Sequence, residues 1–126
     1  MIPDIIKNTI FIGCGSFLGG AARYLISVVM KTMSKGFPWR TLAVNLVGCM
    51  AIGLLWGFFS KSASEGNTWA LFLMVGVCGG FTTFSTFSRE ALVILQSGNI
   101  MGLLAYVSVS VIAGVALVAA GYYMIK

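Results

Sequence analysis

Between Ile100 and Ile125 the chain carries no charged residue at all, and three further apolar runs precede it. About 20 apolar residues suffice to cross the hydrocarbon layer of a bilayer. Inside that layer there is no water to bond, so a spanning backbone must satisfy its own N–H and C=O groups, and a continuous apolar run does so as a helix. The runs at 9–30, 41–60, 69–95 and 100–125 therefore predict an all-α membrane protein: one integral domain over residues 1–126, with four transmembrane helices. Composition agrees, since only 9% of the 126 residues are charged, against about 25% in soluble domains.

The third run breaks its own pattern. It begins as an apolar helix and then reads Gly79-Gly80-Phe81-Thr82-Thr83-Phe84-Ser85-Thr86-Phe87-Ser88-Arg89-Glu90. Paired glycines and β-branched threonines are poor helix material. At membrane depth, irregular backbone is tolerated where it is buried in protein or lines a polar cavity. A third helix broken near its middle, from the glycine pair onward, is predicted. It is either a place where something polar passes or a kink that packs hydroxyls against neighbouring helices. Freed N–H groups, Thr and Ser hydroxyls and the electropositive edges of phenyl rings are donors suited to an anion. Carbonyls freed over 79–82 favour a cation instead, as in unwound transporter helices. Phe84 and Phe87, three apart, share a face of the resumed helix and serve either a path or packing.

Polar residues are sparse elsewhere. Arg23 is the only charge of the first span; it either snorkels to an interface or faces inward as a fixed cation. Thr41 and Asn45 share a face of the second span, as Tyr106 and Ser110 do on the fourth. Asn45 either joins two helices or, with Thr41, faces Tyr106 and Ser110 across a polar lane; a hydroxyl of the fourth span otherwise bonds back to its own backbone. Gly15 with Gly19, and Gly53 with Gly57, are GxxxG pairs that allow close helix approach. Lys31, Lys35, Gly36 and Pro38 mark one connection, and Lys61, Glu65 and Asn67 the next, with Trp39 suited to the interface.

The net charge of +5 is spread over short loops, which suggests contact with anionic lipid headgroups and makes nucleic acid an improbable partner. The chain contains no histidine and no GxSxG, and Ser85, Ser88 and Glu90 lack a base of the usual kind, so no enzyme is expected. Cys14, Cys49 and Cys78 form no CxxC pair and are read as small buried hydrophobes. The first apolar run is taken as a retained span, with Asp4 where a signal peptide would be basic. With four spans, Lys7, Lys61 and Lys126 face one side, and Lys31, Lys35 and Arg40 the other. Orientation follows Lys/Arg bias. With three against three the chain has no preferred way up, and an antiparallel, dual-topology homodimer is the natural assembly.

The stretch Gly79-Gly80-Phe81-Thr82-Thr83-Phe84-Ser85-Thr86-Phe87-Ser88 with Glu90 resembles the signature of the Fluc (CrcB) fluoride channels. Gly19-Gly20-Ala21-Ala22-Arg23-Tyr24 and Thr41-Leu42-Ala43-Val44-Asn45-Leu46-Val47-Gly48 resemble that family's first-helix and second-helix patterns. The resemblance covers the whole chain in order. It implies a multi-pass protein of the bacterial inner membrane, an antiparallel homodimer that exports fluoride passively and protects the cell from it. It implies a structural Na⁺ at the dimer interface, held by backbone carbonyls of Gly79 and Thr82 from both subunits. The family's pore phenylalanines fall on Phe84 and Phe87, its pore asparagine on Asn45, and its fourth-helix polar track on Tyr106 and Ser110. Thr41, Ser85, Thr86 and Glu90 would be secondary, and Arg23 would line the vestibule mouth. One turn beyond Ser110 this chain has Gly114, where some members carry a hydroxyl.

Two other functions compete. A small dual-topology multidrug exporter needs a membrane-embedded carboxylate, usually in its first helix; Asp4 lies before that span, which leaves Glu90. A non-conducting accessory subunit would use the GxxxG pairs as docking faces and would pass no ion by itself.

Overall fold

The computed structural model describes residues 1–31, 37–61 and 67–125; Lys35, Gly36, Glu65 and Lys126 lie outside the described residues. Helix α1 runs Ile2–Val29 and α2 runs Trp39–Ser60. The third span, Thr68–Gln96, is composite. It opens with α3 (Thr68–Ala70), widens into a π-helical stretch Leu71–Cys78, closes with α4 (Gly79–Phe81) and resumes as α5 (Phe84–Gln96). Helix α6 is Ile100–Ile125. Among the described residues, four spans are long and apolar enough to cross a membrane.

Local chemistry sets the ends of these helices. Pro3 and Asp4 stand in the first turn of α1, where a missing N–H costs nothing and a carboxylate meets the positive end of the helix dipole. Pro38 precedes α2. Asn67 caps α3 by accepting from Trp69 N–H at 2.8 Å. Between α5 and α6, Gly98 takes φ 83°, a left-handed turn open to glycine at no steric cost, and Asn99 accepts from Gly102 N–H at 2.9 Å.

Two glycine seams hold the bundle. A Cβ on Gly19 would collide with the Val77 carbonyl and lie 2.8 Å from Phe81 N, and one on Gly15 would lie 2.9 Å from Gly76 Cα. Helix α1 therefore rests directly on the backbone of the π-helical stretch and α4. A Cβ on Gly53 would collide with the Val118 carbonyl, and one on Gly57 would come 2.7 Å from that of Tyr122, so α2 lies against α6 in the same way. Both GxxxG pairs are thus used within the chain, which removes them as docking faces for a larger complex.

The exterior is apolar, with Phe17, Val29, Phe84, Ile112 and Val115 among its exposed side chains. That is an outer surface suited to lipid, and the core is correspondingly small: Leu42, Ile94 and Tyr106, with Phe37 and Phe87 packed against them. Of the cysteines expected to be buried, Cys78 is, Cys49 is half-buried and Cys14 is exposed. A thiol is apolar enough to face hydrocarbon, so the correction concerns position rather than chemistry.

Candidate functional site

The break lies two residues beyond the glycine pair. Gly79 and Gly80 are helical within α4. Thr82 (φ −85°, ψ 160°) and Thr83 (φ −150°, ψ 120°) are extended. Gly80 is small for a different reason than flexibility: a Cβ there would come 2.6 Å from the Ser16 carbonyl of α1.

Asn45 on α2 holds the break open. Its Oδ1 accepts Thr83 N–H at 2.9 Å, and its Nδ2 donates to the Thr83 carbonyl at 3.1 Å. Thr83 then caps α5, its Oγ1 accepting Thr86 N–H at 3.2 Å. Thr82 turns inward, with N–H at 3.0 Å and Oγ1 at 2.9 Å both donating to the Cys78 carbonyl. In an unbroken helix Thr83 N–H would serve the Gly79 carbonyl, and Thr86 N–H the Thr82 carbonyl. Side chains have taken both donors. The two carbonyls deprived of helical partners belong to the two residues singled out for a cation. Arg23 reaches the same place: its Nε donates to the Gly80 carbonyl at 3.2 Å, so it faces inward.

A groove of about 370 Å³ opens beside the break, lined by Asn45, Thr82, Thr83, Phe84, Phe87 and Ser110 among others. Phe84 is 79% exposed. Its ring lies 5.9 Å from that of Phe87, which packs 5.0 Å from Tyr106. Tyr106 is fully buried and meets Phe37 edge to face at 5.4 Å. Thr41 Oγ1 donates to Glu90 Oε1 at 2.7 Å. Among the described residues, Glu90 Oε2 and Ser110 Oγ are buried with no hydrogen-bond partner, while the buried Tyr106 Oη has Thr41 and Glu90 as its polar neighbours. An unmet buried polar group costs about 1–3 kcal/mol, so such atoms ask for water or an ion.

A second cavity, about 360 Å³, is lined by Arg23, Arg40, Thr41, Thr86, Arg89 and Glu90, and it too reaches Thr83. The break therefore sits between an apolar groove and a cationic one. Ser85 is exposed, its Oγ 3.4 Å from that of Thr83. Gly114 packs under Cys49, whose Sγ would lie 3.3 Å from an added Cβ, so a thiol stands at that level of the polar face.

Three features escaped the sequence reading. Thr83 as clamp and cap had a local signal, a threonine directly before a resuming helix. Arg40 and Arg89, sharing the cationic cavity, had none without the tertiary contact of α2 and α5. The π-helical stretch had none either, because its apolar residues suit either kind of turn.

The sequence profile of the family described as "CrcB-like protein, Camphor Resistance (CrcB)" matches residues 10–122. A protein of Desulfotalea psychrophila named "Fluoride-specific ion channel FluC" is 39% identical over 121 residues, covering 96% of this chain and 94% of its own. One of the same name from Methylobacterium nodulans is 40% identical over 119 residues, covering 94% and 96%. Another, from Flavobacterium psychrophilum, is 39% identical over 110 residues, covering 86% and 89%.

Proposed function

The chain belongs to the CrcB family, and from that premise we propose that it is a fluoride-selective channel through which fluoride leaves the cytoplasm passively, relieving fluoride toxicity. It is no enzyme: the relatives carry the name of an ion channel. The observation that carries the reading is Ser110 Oγ, buried and unpartnered among the described residues, on a residue that lines the groove at the break, with the Tyr106 hydroxyl one turn away on the same face. Fluoride is small and strongly hydrated, and a narrow path must replace its water with several donors at short range. These hydroxyls, the remaining Asn45 amide hydrogen and the edges of Phe84 and Phe87 are such donors. The cationic cavity with Arg23 would gather the anion before it. Expression in a bacterium stripped of its own fluoride export is expected to restore growth in fluoride. Protein that reaches the membrane yet gives no rescue would count against the reading.

The working unit in this reading is two antiparallel copies in the inner membrane. The groove with Phe84 and Gly79 is open on one side, where a second copy would complete it. Charge bias remains slight: Arg23 and Arg89 share a cavity with Arg40, which makes the tally about five against three, a small excess that sets no firm orientation. Gly79 and Thr82 of both copies fit a structural Na⁺, since their carbonyls have lost their helical donors to Asn45 and Thr83 and hard cations prefer oxygen ligands. When bound, the ion would supply a fixed positive charge at the interface. Exchanging sodium for N-methylglucamine is expected to lower the melting temperature of the purified dimer; an unchanged melting curve would contradict the site.

A further inference from the structure

A third groove, about 290 Å³, lies where α2 begins, lined by Phe37, Pro38, Arg40, Arg89, Glu90, Val93 and Ile94. Its depth in the membrane follows from Trp39, which is 49% exposed and packs 4.7 Å from Phe37. Tryptophan on a span end sits at headgroup level. Arg40 is its neighbour in sequence, and Arg89 shares the groove, so both guanidiniums stand at that level too.

The two cations are available. Arg40 spends one donor, Nη1, on the Ser27 carbonyl at 3.3 Å. Arg89 is exposed, and no hydrogen bond or ion pair to a described residue engages it. Glu90 also lines the groove, its Oε1 accepting from Thr41, and two guanidiniums against one carboxylate leave the groove net positive. Beside these charges lies an apolar wall of Phe37, Val93 and Ile94, of which Val93 is about half exposed. A free anion has no use for that wall, and an acyl chain alone has no use for the arginines.

We propose that this groove binds the phosphodiester head of an anionic phospholipid, with Arg40 and Arg89 on the phosphate and the upper part of a chain along Phe37, Val93 and Ile94. Guanidinium forks suit phosphate, and basic pockets between spans hold anionic headgroups. The groove shares Arg40 and Arg89 with the cationic cavity beside the break, but lipid retention is read separately from fluoride flux, so either can fail without the other.

Native mass spectrometry on protein reconstituted in mixed phosphatidylglycerol and phosphatidylcholine nanodiscs tests it. Wild type is expected to retain phosphatidylglycerol about tenfold over phosphatidylcholine, equivalent to about 1.4 kcal/mol. Arg89→Gln and Arg40→Gln should each cut that preference several-fold, while Lys61→Gln, at the opposite end of the bundle, should leave it intact. Should Arg40→Gln fail to fold, exposed Arg89→Gln carries the test. Equal retention of the two lipids, full preference in Arg89→Gln, or an equal loss in Lys61→Gln would overturn the proposal. So would displacement of the lipid by free glycerol phosphate, which would make the groove a site for a soluble anion.

Discussion

Asn45→Asp is expected to lower fluoride flux about 100-fold while leaving the protein folded in the membrane. The amide does two things at once: it accepts Thr83 N–H and donates to the Thr83 carbonyl. An ionised aspartate keeps the first bond and loses the second, and an orphaned buried carbonyl costs about 1–3 kcal/mol. It also sets a negative charge in the groove that the anion must cross. A loss of about 3 kcal/mol is about 100-fold in rate. Asn45→Ala separates the two effects. It adds no charge, but it frees Thr83 N–H to return to the Gly79 carbonyl and heal the helix, so flux should fall about tenfold. Both are read as initial efflux per amount of protein recovered in the membrane. Wild-type rates in both variants would place Asn45 off the path and make the clamp incidental.

Gly19→Leu is expected to abolish folding. A Cβ at that position collides with the Val77 carbonyl and approaches Phe81 N at 2.8 Å. Both obstacles are backbone, so no rotamer change relieves them and α1 must lift from the third span. Overpacking commonly costs about 1–3 kcal/mol even where side chains can adjust, against a total stability of about 5–15 kcal/mol. Separation here would also release Arg23 from Gly80 and so disturb the break. Gly13→Leu is the control, since nothing lies within 4 Å of a Cβ there; it should shift stability by no more than about 0.5 kcal/mol. Size-exclusion profiles in detergent decide the matter. A monodisperse Gly19→Leu protein with normal thermal stability would mean that the seam is looser than its geometry.

The parts of the fold legible in the sequence were those governed by local chemistry. Apolar length alone marks four spans, because a bilayer leaves a backbone few choices. The GxxxG spacings mark close approach, and Gly15, Gly19, Gly53 and Gly57 all meet neighbouring backbone. That the third helix breaks near its middle was also legible; that the glycine pair itself stays helical was not. Gly79 and Gly80 stay helical, and Thr82 and Thr83 extend because Asn45 offers Thr83 both halves of its peptide bonding. That partner lies 38 positions away, beyond the reach of any propensity. Tyr106 and Ser110 could be put on one face by spacing, yet the burial of Tyr106 needed Phe37 and Phe87 to close around it. Arg23 could have snorkelled, and only the Gly80 carbonyl decides that it does not.

The central claim is that donors gathered at a break in one membrane helix take the place of fluoride's water. Its most direct test is ion efflux from liposomes holding only the purified protein, followed with fluoride and chloride electrodes side by side. Rapid fluoride release with chloride release near that of protein-free vesicles is the expected result. No fluoride release, or equal release of both anions, would contradict it.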